Sequence, residues 1–434
     1  MKKHLLAAAV ALTTAFTGIQ AHSQATEISF TAAPAPQVLR AQSGTNLFSR
    51  SFNRSAVRND PLMKSLRSDP TIMSARPINV NTNMIDGKSS TITFNMGGGL
   101  NMTATNSASY WLGNDYQVWT GTLESGADLS ATSGIATDRV VLVRNNGRVH
   151  GEVRMGDRMF SIQTTQNGQH ILAEVDMSKI PTTDDTPQNA NATPQPPTPA
   201  APELLETTGT ATIRVLQAAT EDAIVDLGGV GPTVDRMNFH LAQSNDVYAA
   251  NGLGIVLANG GLFRTGVPEL RFMTDNLDGL ENTRDGYLDG LATTTRDSQA
   301  ADIVVIITET QSSPFGGLCG IAAGIGVGQA QGFFAMASAT SCANGLTFPH
   351  ELGHLFGARH DNDPNTTPFA FGHGFVNAGA NIRTVMAVNS NPQPRVGLFS
   401  TDDQTFGGAS LGNSGFNDNE RVHATRAATM ANFR

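Results

Sequence analysis

The stretch His350-Glu351-Leu352-Gly353-His354-Leu355-Phe356-Gly357-Ala358-Arg359-His360-Asp361 is where this chain gathers groups able to do chemistry. On a helix, residues four apart share a face, with Cβ atoms about 5–6 Å apart. His350 and His354 so placed reach one ion at the ~2.0–2.1 Å of a zinc–nitrogen bond. A catalytic zinc takes three protein ligands and keeps one position open. Gly357 suits a helix end in the left-handed conformation, and the turn then returns His360 to the same ion. Three imidazoles leave zinc its positive charge, so it acts as a Lewis acid and lowers the pKa of a bound water. Glu351, one residue past the first ligand, is turned toward that water. It takes a proton as the water attacks a peptide carbonyl and hands it to the leaving amine. The spacing therefore predicts an endopeptidase with one catalytic Zn2+ and protein or peptide substrates. A purely structural zinc needs four closed ligands and no base, which the intact Glu351 argues against.

These groups need a scaffold, and the chain after residue 208 reads as one. Strand patterns at Ala211–Gln217, Gly254–Leu257 and Ile303–Ile307 alternate with helical patterns over Pro232–Asn251 and Asp275–Leu291. Such alternation predicts an α/β layer structure, and the continuous β-branched run 303–307 predicts a strand covered on both faces. Pro349 lacks an N–H, so the helix carrying His350 must begin within the turn before it, after Gly345.

Upstream the character changes. Residues 1–25 read as an export signal: basic Lys2, Lys3 and His4, an apolar run Leu5–Phe16, then small residues near Ala21 and Ala25. That run is too short to span a bilayer, and no later segment is long and apolar enough, so a secreted chain without a membrane anchor is expected. Residues 26–180 form a unit that becomes β-rich from about 90, with hairpin signals at Asn145-Asn146-Gly147 and Gln166-Asn167-Gly168-Gln169. Trp111, Tyr116 and Trp119 read as core or cross-strand aromatics. Residues 181–207, with seven prolines among Thr, Asn, Gln and Ala, read as an extended linker and a place for proteolytic cutting. Residues 208–434 then form the catalytic unit. It holds 12 Arg, no Lys and 21 acidic residues, and so carries the whole net charge of −9. That balance disfavours nucleic acid or an anionic membrane as partner.

Cys319 and Cys342 are the only cysteines. In an exported chain a lone pair is most simply one disulfide, with two free thiols as the alternative.

The extended motif with Asp361 after the third His resembles the metzincin metallopeptidases of the reprolysin (adamalysin-like) branch, bacterial secreted type. Arg383-Thr384-Val385-Met386-Ala387 resembles that family's Met-turn. Asn417 to Arg434 resembles its closing helix, and Cys319-Gly320-Ile321-Ala322 with Ser341-Cys342-Ala343 its disulfide-flanked stretch. The resemblance implies a twisted mixed sheet with helices, zinc at the floor of a cleft, and Met386 as apolar floor beneath it. It further implies that Gly320–Ala323 lies near the edge strand that pairs with substrate backbone. The β-rich unit resembles propeptides of these relatives, which implies a zymogen silenced by its own propeptide. With no Cys in residues 1–318, a propeptide thiol on the zinc is not the device.

Weaker signals surround this one. His373 reads as a loop histidine, and Arg383 either charges a specificity pocket or braces the Met-turn. Asp402, Asp403, Asp418 and Glu420 offer the oxygen ligands that Ca2+ takes, but their spacing matches no calcium loop, so solvated surface is expected.

Overall fold

A computed structural model describes residues 25–27, 46–49, 57–97, 99–123, 138–156, 158–180, 210–314, 316–388 and 393–434. All but the last residue of the expected export signal, and the whole expected linker 181–207, lie outside these residues.

Thr26–Glu27 (β1) joins the second sheet described below. The N-terminal unit comprises Phe48–Ser49 (β2), the helix Pro61–Ser68 (α1), Ile72–Val80 (β3), Thr91–Gly97 (β4), Leu100–Leu112 (β5), Tyr116–Leu123 (β6), Arg139–Asn145 (β7), Arg148–Met155 (β8), Arg158–Thr164 (β9) and His170–Val175 (β10). They form a nine-stranded antiparallel sheet in the order β2-β3-β10-β9-β8-β7-β6-β5-β4. A bridge between Asn46 and Thr93 links the first strand to the last, and the sheet curls around Phe48, Phe94, Trp119, Leu142 and Ile162. Asn146, at φ 52°, closes the β7–β8 hairpin across Asn145 and Arg148, a left-handed position that Asn tolerates. Trp119 is buried with its Nε1–H donating to Ser89 O, 2.8 Å, whereas Trp111 faces solvent and is no core residue. The weakly patterned region before residue 90 holds α1 and β3. Leu62, Met63 and Leu66 of α1 pack on Ile171 and Ala173 of β10.

The second unit runs Ala211–Ala219 (β11), Glu221–Asp226 (α2), Val230–Ala250 (α3), Ile255–Arg264 (β12), Met273–Glu281 (α4), a π turn Leu291–Thr295 leading into Arg296–Ser298 (α5), and Ile303–Thr308 (β13). A ribbon of Ser312–Ser313 (β14) and Gly316–Gly317 (β15) follows, then Gly320–Ala322 (β16), Phe333–Ala337 (β17), Thr340–Asn344 (α6) and Thr347–Phe356 (α7). Short pairs Val376–Asn377 (β18) with Ile382–Arg383 (β19), and Thr405–Phe406 (β20) with Ala409–Ser410 (β21), precede Asn419–Met430 (α8). The helix expected over 275–291 ends at 281, where the Asn282–Gly286 segment turns the chain.

The sheet order is β1-β12-β11-β13-β17-β16, parallel through β12, β11, β13 and β17, with β1 and β16 antiparallel at the two edges. Strand alternation sorts the core into two layers. Ile303, Val305 and Ile307 face α3, α7 and α8, while Val304 and Ile306 face α4. A mixed α/β fold results.

Helix α3 lies between the two sheets. Val234, Met237 and Leu241 are buried with β11 and β13, in the cluster that also takes Tyr116, Val118, Val141 and Val143 from the N-terminal sheet. Gly231, Asp235, Phe239, Gln243 and Asp246 recur at helical spacing and meet the N-terminal unit. The helix is therefore buried nearly all round, polar side chains included.

Candidate metal centre

Helix α7 starts at Thr347 after Leu346, which sits in the left-handed region at φ 65°. Pro349 thus falls in the first turn, where a backbone N–H has no intrahelical acceptor to miss. The helix ends at Gly357, φ 114°, whose N–H donates to Gly353 O and His354 O. The chain then doubles back: Arg359 N donates to Gly372 O at 2.7 Å and Gly374 N to Arg359 O at 2.9 Å. That short bridge sets His360 opposite the helix.

All three histidines are buried, and their ligand atoms cluster. His350 Nδ1 lies 2.8 Å from Val385 O and His354 Nδ1 2.9 Å from Ala358 O. A carbonyl only accepts, so each Nδ1 carries the proton and each Nε2 presents a lone pair. Those two Nε2 atoms stand 3.1 and 3.0 Å from His360 Nε2. One proton on His360 Nε2 satisfies at most one of them. A cation at the centre of the three satisfies all, and neutral imidazoles oriented by carbonyls are the donor set zinc takes. The residues fit the metal.

Glu351 is fully buried beside this cluster, under the edge strand. A Cβ placed on Gly320 of β16 would lie 2.6 Å from Glu351 Oε1. Only glycine lets the strand run this close over the carboxylate. The disulfide Cys319–Cys342, Cα–Cα 5.1 Å, ties that strand to α6, which leads directly into α7.

Met386 is fully buried, and a Cβ on Gly353, between the first two histidines of the motif, would collide with its Sδ. Val385 O orients His350, and Asp361 Oδ1 accepts from Val388 N at 2.9 Å, so the segment after the Met is tied to the residue after the third His. Arg383 Nη1 and Arg395 Nη2 both donate to Ala387 O, at 2.6 and 3.1 Å. Arg383 Nε also donates to Gln393 O, and Arg395 Nη1 to Gly345 O. Arg383 thus braces the turn, and Arg395, a residue the sequence reading passed over, spans from the turn to the start of α7.

The weaker candidates are structural. His373 is buried, donates from Nε2 to Asn365 O at 2.8 Å and stacks on Phe416. Asp418 is buried as the N-cap of α8, accepting from Arg421 N, so it is no surface carboxylate; burial pushes its pKa up, as it does that of Glu420. Asp402 and Asp403 are exposed. His423 of α8 packs on Phe356 and Phe399, and burial holds its pKa down at about 4.

The profile of the family described as "Metallo-peptidase family M12B Reprolysin-like" matches residues 234–361, from α3 through the third His and Asp361. The chain is 34% identical over 333 residues to a peptidyl-Asp metalloendopeptidase of Stenotrophomonas maltophilia (strain R551-3), covering 73% of this chain and 77% of that one. It is 29% identical over 392 residues to a protein of the same name from Xanthomonas campestris pv. campestris, covering 86% and 89%. No helix among the described residues is long and apolar enough to cross a membrane. Motif, α/β scaffold and relatives agree: this chain belongs to the reprolysin-like metallopeptidases of family M12B, within the metzincins, and is a metalloendopeptidase.

Proposed function

We propose that the chain is a secreted zinc endopeptidase, exported by residues 1–25, in which His350, His354 and His360 hold the metal and Glu351 is the general base. The convergence of three imidazole Nε2 atoms beside the buried Glu351 carboxylate carries this reading. Bound zinc supplies Lewis acidity that makes water nucleophilic near neutral pH. The residues do the rest. Val385 O and Ala358 O fix the tautomers of two ligands, and Met386 supports the floor. Glu351 accepts a proton from the attacking water and returns it to the departing amine. The edge strand β16 offers backbone groups to an extended substrate, and its glycine keeps the base within reach of the bond.

Glu351→Gln keeps size and hydrogen bonding while removing basicity. The variant is expected to retain one zinc per chain while casein hydrolysis falls about 10²- to 10⁴-fold. Chelation should abolish wild-type activity and added zinc restore it. Full activity in the Gln variant excludes Glu351 as base.

Residues 26–180 act as the propeptide, 181–207 as the linker where it is cut, and 208–434 as the mature enzyme. Described residues of the N-terminal unit seat on α3, α6 and the 395 segment: Gln163 Nε2 donates to Thr340 Oγ1, and Arg154 Nη1 to Arg395 O. The relatives' names point to aspartate, and we extend that preference to this chain, at a residue flanking the scissile bond. The acidic charge of the catalytic unit taken as a whole leans the other way, so such a preference requires cations concentrated at the subsite.

A further inference from the structure

The three imidazoles are not held alike. His350 and His354 ride on α7, and their Nδ1 atoms are fixed by Val385 O and Ala358 O. His360 lies past Gly357, outside any helix or strand, so its placement depends on what pins an irregular segment. Arg359, its neighbour in the chain, pins that segment twice. The Arg359 backbone bridges to Gly372 and Gly374. That facing stretch is anchored in turn, with Asn417 Nδ2 donating to Gly374 O at 2.6 Å. The Arg359 side chain, only 1% exposed, makes the second hold. Its Nε donates to Thr367 O and its Nη1 pairs with Asp363, eight and four residues further on. Asp363 Oδ1 passes the hold along by accepting from Asn365 N and Nδ2 at 2.9 and 2.8 Å. His373, from the facing stretch, donates to Asn365 O at 2.8 Å. The loop then seats on the end of α7: a Cβ on Gly326 or Gly357 would lie 2.7 or 3.0 Å from Pro368 Cγ.

A guanidinium is seldom fully buried unless its donors are used, and here they are used at two separated points of one loop. We propose that Arg359 is the positioning residue of the third metal ligand. Its fork clamps the loop at Asp363 and Thr367 and so holds His360 Nε2 where the three imidazoles meet. A ligand ordered before the metal arrives binds it more tightly, because little freedom remains to be lost. Groups that orient metal ligands are typically worth about 10- to 100-fold in metal affinity. The proposal rests on the zinc reading above, and the experiment separates the two failures.

Zinc affinity of the full chain is measured by competition with a calibrated chelator. The absorption of Co2+ put in place of zinc reports ligand number and geometry. Wild type is expected to bind one metal ion per chain with the Co2+ spectrum of a four-coordinate site. Arg359→Gln is expected to weaken zinc binding about 10- to 100-fold and to shift that spectrum. Arg359→Lys keeps the charge and loses the fork, so a smaller loss in the same direction is expected. Asp363→Asn, at a half-buried position, removes only the outer end of the clamp and serves if the Arg359 variants do not fold; a several-fold loss is expected. Arg148→Ala, which removes an ion pair between the two units, is the control for lost stability and should leave zinc affinity and spectrum unchanged. Wild-type affinity in the folded Arg359 variants, or in Asp363→Asn where those do not fold, overturns the assignment and leaves the zinc reading intact. An equal loss in Arg148→Ala also overturns it, since Arg359 then acts through general stability. A wild type that binds no metal overturns the zinc reading and this proposal with it.

Discussion

Gly320, Gly353 and Gly374 sit where a methyl group has no room: against the Glu351 carboxylate, against Met386 Sδ, and 2.7 Å from the Ala387 N and Met386 C backbone atoms. Each allows one layer of the centre to close on the next. For Gly320→Ala the added carbon meets the carboxylate proposed as base, so Glu351 must shift. Misplacement on the order of 1 Å costs about 10²-fold in rate. We expect Gly320→Ala to lose activity on that scale at full zinc content; wild-type turnover would show that the strand rather than the carboxylate yields. At this scale the sequence was informative where chemistry dictates spacing. Two His four apart with a Glu between them have few other uses. Arg395 escaped notice because its role depends on a carbonyl eight residues away in the chain and on the start of a helix fifty residues away. No periodicity records either contact.

The elements were legible in proportion to how simply they are buried. The run Ile303–Ile307 reads as a central strand because both its faces are apolar, and it lies between α4 and the α3–α7 layer. Helix α3 holds more than its apolar stripe announces. Its apolar stripe predicts one covered face, but the polar residues Asp235, Arg236, His240, Gln243 and Asp246 are buried as well. The partners that make this tolerable lie far back in the chain. Arg148 pairs with Asp235 at 2.6 Å, and Tyr116 Oη donates to the same carboxylate. Burial raises the pKa of Asp235, and Arg148 opposes that shift. Truncating Arg148 leaves a carboxylate stranded out of water, a change worth about 3–5 kcal/mol, less whatever protonation of Asp235 recovers. Arg148→Ala should therefore lower the denaturation midpoint of the full-length chain clearly. An unchanged midpoint would mean the two units meet too loosely for the pair to matter.

Across the whole molecule the interface is rich in neutral histidine. Burial holds His150 well below its ordinary pKa, with Arg236 adding to the effect; the same causes act on His240, and burial takes His170 to about 3. The rings of His150 and His240 flank Phe239. The sign follows from linkage. An unfolded or released histidine binds its proton near pH 6.5, and these do so only at much lower pH. The stability of the joined form is therefore complete above about pH 6.5 and declines as pH falls toward the folded values, by up to ~1.4 kcal/mol per pH unit for each such histidine. The melting temperature of the full-length chain should drop steadily from pH 7 to pH 4.5. A flat profile would contradict the burial described here.

The stripe by which α3 meets the N-terminal unit, Gly231, Asp235, Phe239, Gln243 and Asp246, is mostly polar. Beside it, Tyr116, Val118, Val141 and Val143 of the N-terminal sheet share one apolar cluster with Val234, Met237 and Leu241. The contact is thus part salt bridge and part shared grease, and taking the N-terminal unit away would wet both kinds of surface at once.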